Sequence, residues 1–189
     1  MHQPLDVSSL AISPAVLLTS AALDRATYLR RPDLGRRLDS ASANRLATGD
    51  WDAVLVVADG LSAIAVHRHA SALIDALRPL LEGWRVAPIC IVRHGRVAIG
   101  DEIGERVGSR LAVVLIGERP GLSSPDSLGA YLTWAPRIGR TDAERQCVSN
   151  IRNGGFEPVL AAQRIALLMQ AARDQQLTGV NLKTSSLLT

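Results

Sequence analysis

An α/β fold with a mostly parallel sheet flanked by helices, of the Rossmann-like or flavodoxin-like class, is what this sequence predicts. Three observations predict it. Short apolar runs rich in β-formers recur at 53–58, 86–92 and 111–116, turn residues close each of them, and helical periods lie between. Strands buried on both faces read as continuous apolar runs, and strands alternating with helices favour parallel pairing with crossovers. With 189 residues, 47% hydrophobic and 21% charged, the chain can bury one sizeable core and is short for two domains. The expected organisation is an Arg-rich helical and loop segment over 1–50, followed by an α/β domain over 51–189.

The first strand, Ala53 to Ala58, ends at Asp59-Gly60, and Ser62 is placed to cap the helix that follows. Ile64, Leu73, Leu77 and Leu80 share a face of that helix, which Pro79 kinks or ends before Gly83. Val86 to Val92 is the next strand, with Pro88 near its start, and Arg93-His94-Gly95-Arg96 turns the chain. Val97-Ala98-Ile99 reads as a short strand or a loop. Asp101 then caps a brief helix that carries Ile103 and Val107 and stops at Gly108. Leu111 to Ile116 is the third strand, broken at Gly117-Glu118-Arg119-Pro120-Gly121, and Ala130 to Trp134 is a weaker fourth. Thr141-Asp142-Ala143-Glu144 has the form of a capping box and predicts a helix through Ile151, closed at Asn153-Gly154-Gly155. A last helix opens with Pro158 in its first turn, turns Val159, Ala162, Ile165, Leu168 and Met169 to the core, and ends at Gly179.

Composition excludes several classes. Cys90 and Cys147 have neither disulfide-framework nor zinc-ligand spacing, which fits a reducing compartment. The N-terminus lacks a basic signal-peptide region, and no run approaches the roughly 20 apolar residues that span a bilayer. Of 21 basic residues only Lys183 is not arginine, the formal charge is +3, and aromatics make up 3%, which argues against stacking on nucleic acid. G-x-G-x-x-G after the first strand, a P-loop and a G-x-S-x-G elbow are all absent.

In open α/β sheets ligands sit outside the carboxyl ends of the strands. Asp59 and Glu118 are the acidic residues that land there. Glu118, followed by Arg119 and a rigid Pro-Gly step, presents an acceptor and a cation at fixed positions, or else forms a surface ion pair. His67 and His69 are two residues apart, so a helix points them about 200° from each other, which suits surface or partner contacts better than a metal. Cys147 falls on the helix after the capping box, where the plain reading is a small buried apolar residue, since no neighbouring base would activate it.

Five blocks in order carry a resemblance: Arg31-Pro32-Asp33-Leu34-Gly35-Arg36-Arg37-Leu38, Ala58-Asp59-Gly60-Leu61-Ser62, Val92-Arg93-His94-Gly95-Arg96-Val97, Gly117-Glu118-Arg119-Pro120-Gly121-Leu122, and Cys147 through Gly155. Through them the chain resembles the small subunit, or light chain, of ethanolamine ammonia-lyase, the adenosylcobalamin-dependent enzyme that converts ethanolamine to acetaldehyde and ammonia. The resemblance implies a large subunit, a TIM barrel that carries the substrate pocket and the radical chemistry, with this chain as the other wall of a shared cobalamin site. By motif position it places cobalamin contacts on Val97, Glu118 and Cys147 and assigns no catalytic group here. D-x-H-x-x-G, whose histidine replaces the cofactor's own base on cobalt, is missing, so base-on binding is expected. The Arg-rich segment from Arg25 to Arg45 is expected either to pack on the large subunit or to be a solvated face. Enteric relatives carry a longer leader associated with microcompartment entry, so cytoplasm is the expected location for this chain and a bacterial microcompartment the alternative. The rival readings are a free-standing α/β enzyme using a nucleotide or flavin and a basic nucleic-acid module.

Overall fold

The structure is a computed structural model that describes residues 4–118 and 126–183. One six-stranded sheet organises it, in the order β1-β3-β2-β4-β5-β6. The strands are β1 (Ala15–Thr19), β2 (Trp51–Ala58), β3 (Ile89–Arg93), β4 (Ser109–Gly117), β5 (Leu128–Trp134) and β6 (Arg145–Ile151). Among the described residues five α-helices accompany them: α1 (Arg25–Arg30), α2 (Ser40–Ala43), α3 (Ala63–Leu77), α4 (Ile99–Val107) and α5 (Pro158–Gln175). The α/β class is therefore as expected, and the sheet is mixed. β1, β3, β2 and β4 run parallel, while β5 and β6 run antiparallel to their neighbours. Only residues 118–127 separate β4 from β5, too few for the helical crossover that a parallel partner needs, so the chain turns straight back.

Each central strand feeds both faces of the sheet. Leu55, Val57, Leu111, Val113 and Leu115 point into a core covered by α3 and α5. Val54, Val56, Ala112, Val114 and Ile116 point into a second core covered by α4 through Ile99, Ile103 and Val107. Burial on both faces is why these strands read as unbroken apolar runs.

Several elements depart from expectation. Residues 1–50 do not hold helices and loops alone, because β1 lies in the sheet as an edge strand paired to β3. Leu10 and Ile12 join the α3–α5 core, and Leu18 and Leu38 join the other. The helix expected over 141–151 is a single 3-10 turn, Asp142–Glu144, followed by β6. Its capping box does form, with Glu144 accepting from the Thr141 amide at 2.7 Å. β5 needs a partner on its outer edge, however, and Val148 and Ile151 fill the core beneath α5 only as strand residues. Asp101 is not the cap of α4; Ala98 holds that position. Asp101 sits in the first turn, buried and turned inward to Arg145. Val159 is 59% exposed, because the buried stripe of α5 runs through Ala161, Ala162, Ile165, Leu168 and Met169. That helix stops at Gln175, with Gln176 left-handed, before Gly179 is reached. Leu80 lies past the end of α3 and is exposed, while Val66, Ala70 and Ile74 complete the buried face. The expected cap Ser62 accepts from the Ala65 amide at 3.3 Å.

Candidate functional site at the ends of β2 and β4

The chain leaves β2 through α3 across one face to reach β3, then returns through α4 across the other face to β4. Strand order reverses between β2 and β4, and a cleft is expected beyond their carboxyl ends. One of about 400 Å³ lies there, lined by Leu61, Arg96, Val97, Gly117, Glu118 and Tyr131 among others.

The floor is built by close backbone approach. The Leu61 amide donates to the Gly117 carbonyl at 2.8 Å, joining the turn after β2 to the end of β4. A Cβ on Gly117 would fall 2.0 Å from the Ser62 carbonyl oxygen, so only glycine fits. Val97 reaches the cleft from the turn between β3 and α4. Asp59 fixes that turn: its buried carboxylate accepts from the Gly95 amide at 3.2 Å. Burial pushes the Asp59 carboxyl up, opposed by the amide and charge of His94. Asp59 faces a second cavity, with Arg25, Arg93 and His94, and not the cleft that holds Glu118. Its role at the rim is to support the backbone that delivers Arg96 and Val97.

Glu118 leaves the end of β4 with its amide donating to the Ser127 carbonyl at 2.9 Å. Its Oε1 accepts from the Tyr131 hydroxyl at 2.5 Å. Burial and this carboxylate both raise the pKa of the Tyr131 phenol, which therefore stays a donor. Arg119 and the Pro120-Gly121 step, expected to supply a cation beside Glu118, lie outside the described residues. Cys147 is on β6 and not on a helix, directly across from Tyr131, and is exposed rather than buried. Its thiol pKa is raised, by desolvation first and by the Glu118 charge, with Tyr131 opposing. A neutral thiol is a poor nucleophile and a serviceable apolar contact.

Val97 and Glu118 thus line one cleft, and Cys147 flanks it through Tyr131. Tyr131, Arg96 and Tyr28 also line it and were not singled out from the sequence. Arg96 stacks over the Tyr28 ring at 4.5 Å, as does Arg25 at 4.7 Å. The signal for Tyr131 was present in β5, where Leu128, Ala130 and Leu132 form the core face and Gly129, Tyr131 and Thr133 the other.

The two histidines expected at the helix surface or a partner contact lie away from the cleft, and one of them is buried. His69 is buried on α3, its Nε2 3.7 Å from Asp126, and His67 accepts from the Asp6 amide at 2.9 Å. Among the described residues no three His, Cys, Asp or Glu side chains converge as a metal site would require, and no helix is long and apolar enough to cross a membrane.

The ethanolamine ammonia-lyase light chain profile matches residues 1–183. The chain belongs to the ethanolamine ammonia-lyase light chain family. It is 52% identical to the ethanolamine ammonia-lyase small subunit of Pseudomonas paraeruginosa, over 97% of this chain and 72% of that one. Identity to the small subunit of Azotobacter vinelandii is 56%, over 89% of this chain and 65% of the relative. The corresponding subunit of Xanthomonas campestris pv. campestris is 54% identical over the same shares. The family is one of ammonia-lyase subunits, so the resemblance carried by the five sequence blocks holds over the whole chain.

Proposed function

We propose that this chain is the small subunit of an adenosylcobalamin-dependent ethanolamine ammonia-lyase, and that its cleft beyond β2 and β4 forms one wall of a cobalamin site closed by the large subunit. Converting ethanolamine to acetaldehyde and ammonia needs radical chemistry, which the cofactor supplies when bound. The substrate pocket and the catalytic groups belong to the partner. This chain binds, orients and excludes water.

The observation that carries the reading is the convergence of Val97 and Glu118 on one cleft, with Cys147 across the strand pair from the tyrosine that holds Glu118. These residues suit a corrin periphery. Its side-chain amides are neutral donors that a carboxylate oxygen accepts, and its methyl-bearing edge packs on Val97 and the neutral Cys147 thiol. A cleft of about 400 Å³ holds only part of so broad a group, as a shared site requires. The sequence lacks D-x-H-x-x-G, which supports base-on binding. Spectra of the bound cofactor with nitrogen coupling from a protein imidazole would contradict base-on binding. A free-standing nucleotide- or flavin-dependent enzyme is the weaker reading, since the relatives are all named as subunits of one lyase.

The Arg-rich stretch has partners of its own. Arg25 donates to the Gly60 and Leu61 carbonyls at 2.5 and 3.2 Å, and Arg37 pairs with Glu102 at 2.9 Å. Arg31 is likewise paired with Asp33 at 2.6 Å, and we therefore assign the large-subunit contact to the exposed Arg30 and Arg36. The test of the whole reading is coexpression with a large subunit. Copurification and cobalamin-dependent acetaldehyde formation are expected, and lack of association would overturn it.

A further inference from the structure

We propose that Tyr131 is a positioning residue whose hydroxyl occupies one oxygen of Glu118, so that the other oxygen is presented, already oriented, to an amide N–H of the corrin periphery. The inference rests on the reading of the cleft given above and goes beyond it by naming what fixes the acceptor.

Three constraints act on the Glu118 side chain. Its backbone is tied to Ser127 by the 2.9 Å amide bond. Its Oε1 is held by Tyr131 at 2.5 Å. Beneath it lies Gly129, where a Cβ would stand 2.4 Å from Oε1 and 2.6 Å from the carboxyl carbon, so the carboxylate rests on bare backbone. Gly129 and Tyr131 share the face of β5 that does not enter the α3–α5 core, which sets the platform and the donor two residues apart on one surface. The Tyr131 ring is partly buried against the α4-side core, so the donor is itself fixed.

A carboxylate offers about four lone-pair positions, and one bond to Tyr131 leaves Oε2 free to accept. A glutamate side chain free to rotate would have to be ordered by the ligand. Here folding orders it, and binding needs no further immobilisation. The hydroxyl also restrains Glu118 from turning toward Arg96, a cation that lines the same cleft.

The test is a double-mutant cycle in the assembled complex with the large subunit, reading adenosylcobalamin affinity by absorbance titration and folding by thermal midpoint. Tyr131→Phe keeps the ring and removes only the hydroxyl. It is expected to weaken cofactor binding about three- to tenfold, and to have no further effect once Glu118→Ala is present. Gly129→Ala, whose Cβ would crowd the carboxylate and, at 2.9 Å, the edge of the Tyr131 ring, separates the pair without removing either group; it is expected to weaken binding as Tyr131→Phe does and serves if the latter folds poorly. Wild-type affinity in both of these variants, or losses from Tyr131→Phe and Glu118→Ala that simply add, would overturn the positioning role. If Glu118→Ala itself leaves affinity unchanged, the reading of the cleft fails and this inference with it. If Glu118→Ala weakens binding and neither other variant does, the positioning role alone fails.

Discussion

Arg145 and Asp101 face each other with side chains 2% and 3% exposed, joined by two parallel bonds of 2.7 Å, and Arg145 also donates to Thr133 at 2.8 Å. The pair ties the first turn of α4 to β6. Removing one member strands a buried charge, so Arg145→Met should cost about 3–5 kcal/mol, whereas replacing both partners with apolar residues should restore most of it. Denaturant unfolding of the single and double variants checks this, and an additive double variant would contradict it. Residues of this kind were hard to read from the sequence. Asp101 looked like a helix cap because it precedes an amphipathic stretch, but its partner lies 44 positions away and nothing local points to it. Glu118 was legible because glycine and proline mark its strand end; alternation along β5 set Tyr131 on the face away from the α3–α5 core, but its hydroxyl gains a role only once β5 lies beside β4.

At the scale of elements, the start of the sheet is stapled by charge. Asp52 at the head of β2 accepts from Arg110 of β4 at 2.6 Å and from the backbone and side chain of Arg85 at 2.9 to 3.4 Å. The Arg85 hydrogen bonds hold the Asp52 carboxyl down at about 2, against an ordinary 3.8. A depressed carboxyl contributes stability in full above its unfolded pKa, and that stability is lost as pH falls toward 2. Asp52→Asn should therefore lower the thermal midpoint at pH 6 and approach the wild type near pH 2, and a constant difference across that range would contradict the assignment. The central strands and α3 and α5 were legible because burial on both faces, or along one helical stripe, imposes a pattern over many residues. β6 was not, since Thr141 and Glu144 form a real capping box for a helix one turn long. β1 was missed for a different reason: its apolar run, Ala15 to Leu18, is short and follows directly on Ser13-Pro14, which reads as a break.

For the whole molecule, the mixed sheet matters because of what it leaves open. α5 and α3 cover one face across to β6, while on the other α4 covers the parallel strands and reaches β6 through the Asp101–Arg145 pair. The uncovered corner, where β5 and β6 pass the end of β4, carries Tyr131 and Cys147 beside the cleft. Leu61, 41% exposed, stands at the mouth of the same cleft. Leu61→Asp is expected to weaken association with the large subunit without lowering the thermal midpoint of the isolated chain, as analytical ultracentrifugation and melting would show. The most direct measurement of the account uses the chain's two thiols. Cys90 is buried, its pKa pushed up to about 12, and Cys147 is exposed, so an alkylating agent reports on Cys147. In the complex with the large subunit, alkylation of Cys147 followed by peptide mass spectrometry should slow markedly when adenosylcobalamin is added. Equal labelling with and without the cofactor would contradict the placement of the cobalamin site on this face.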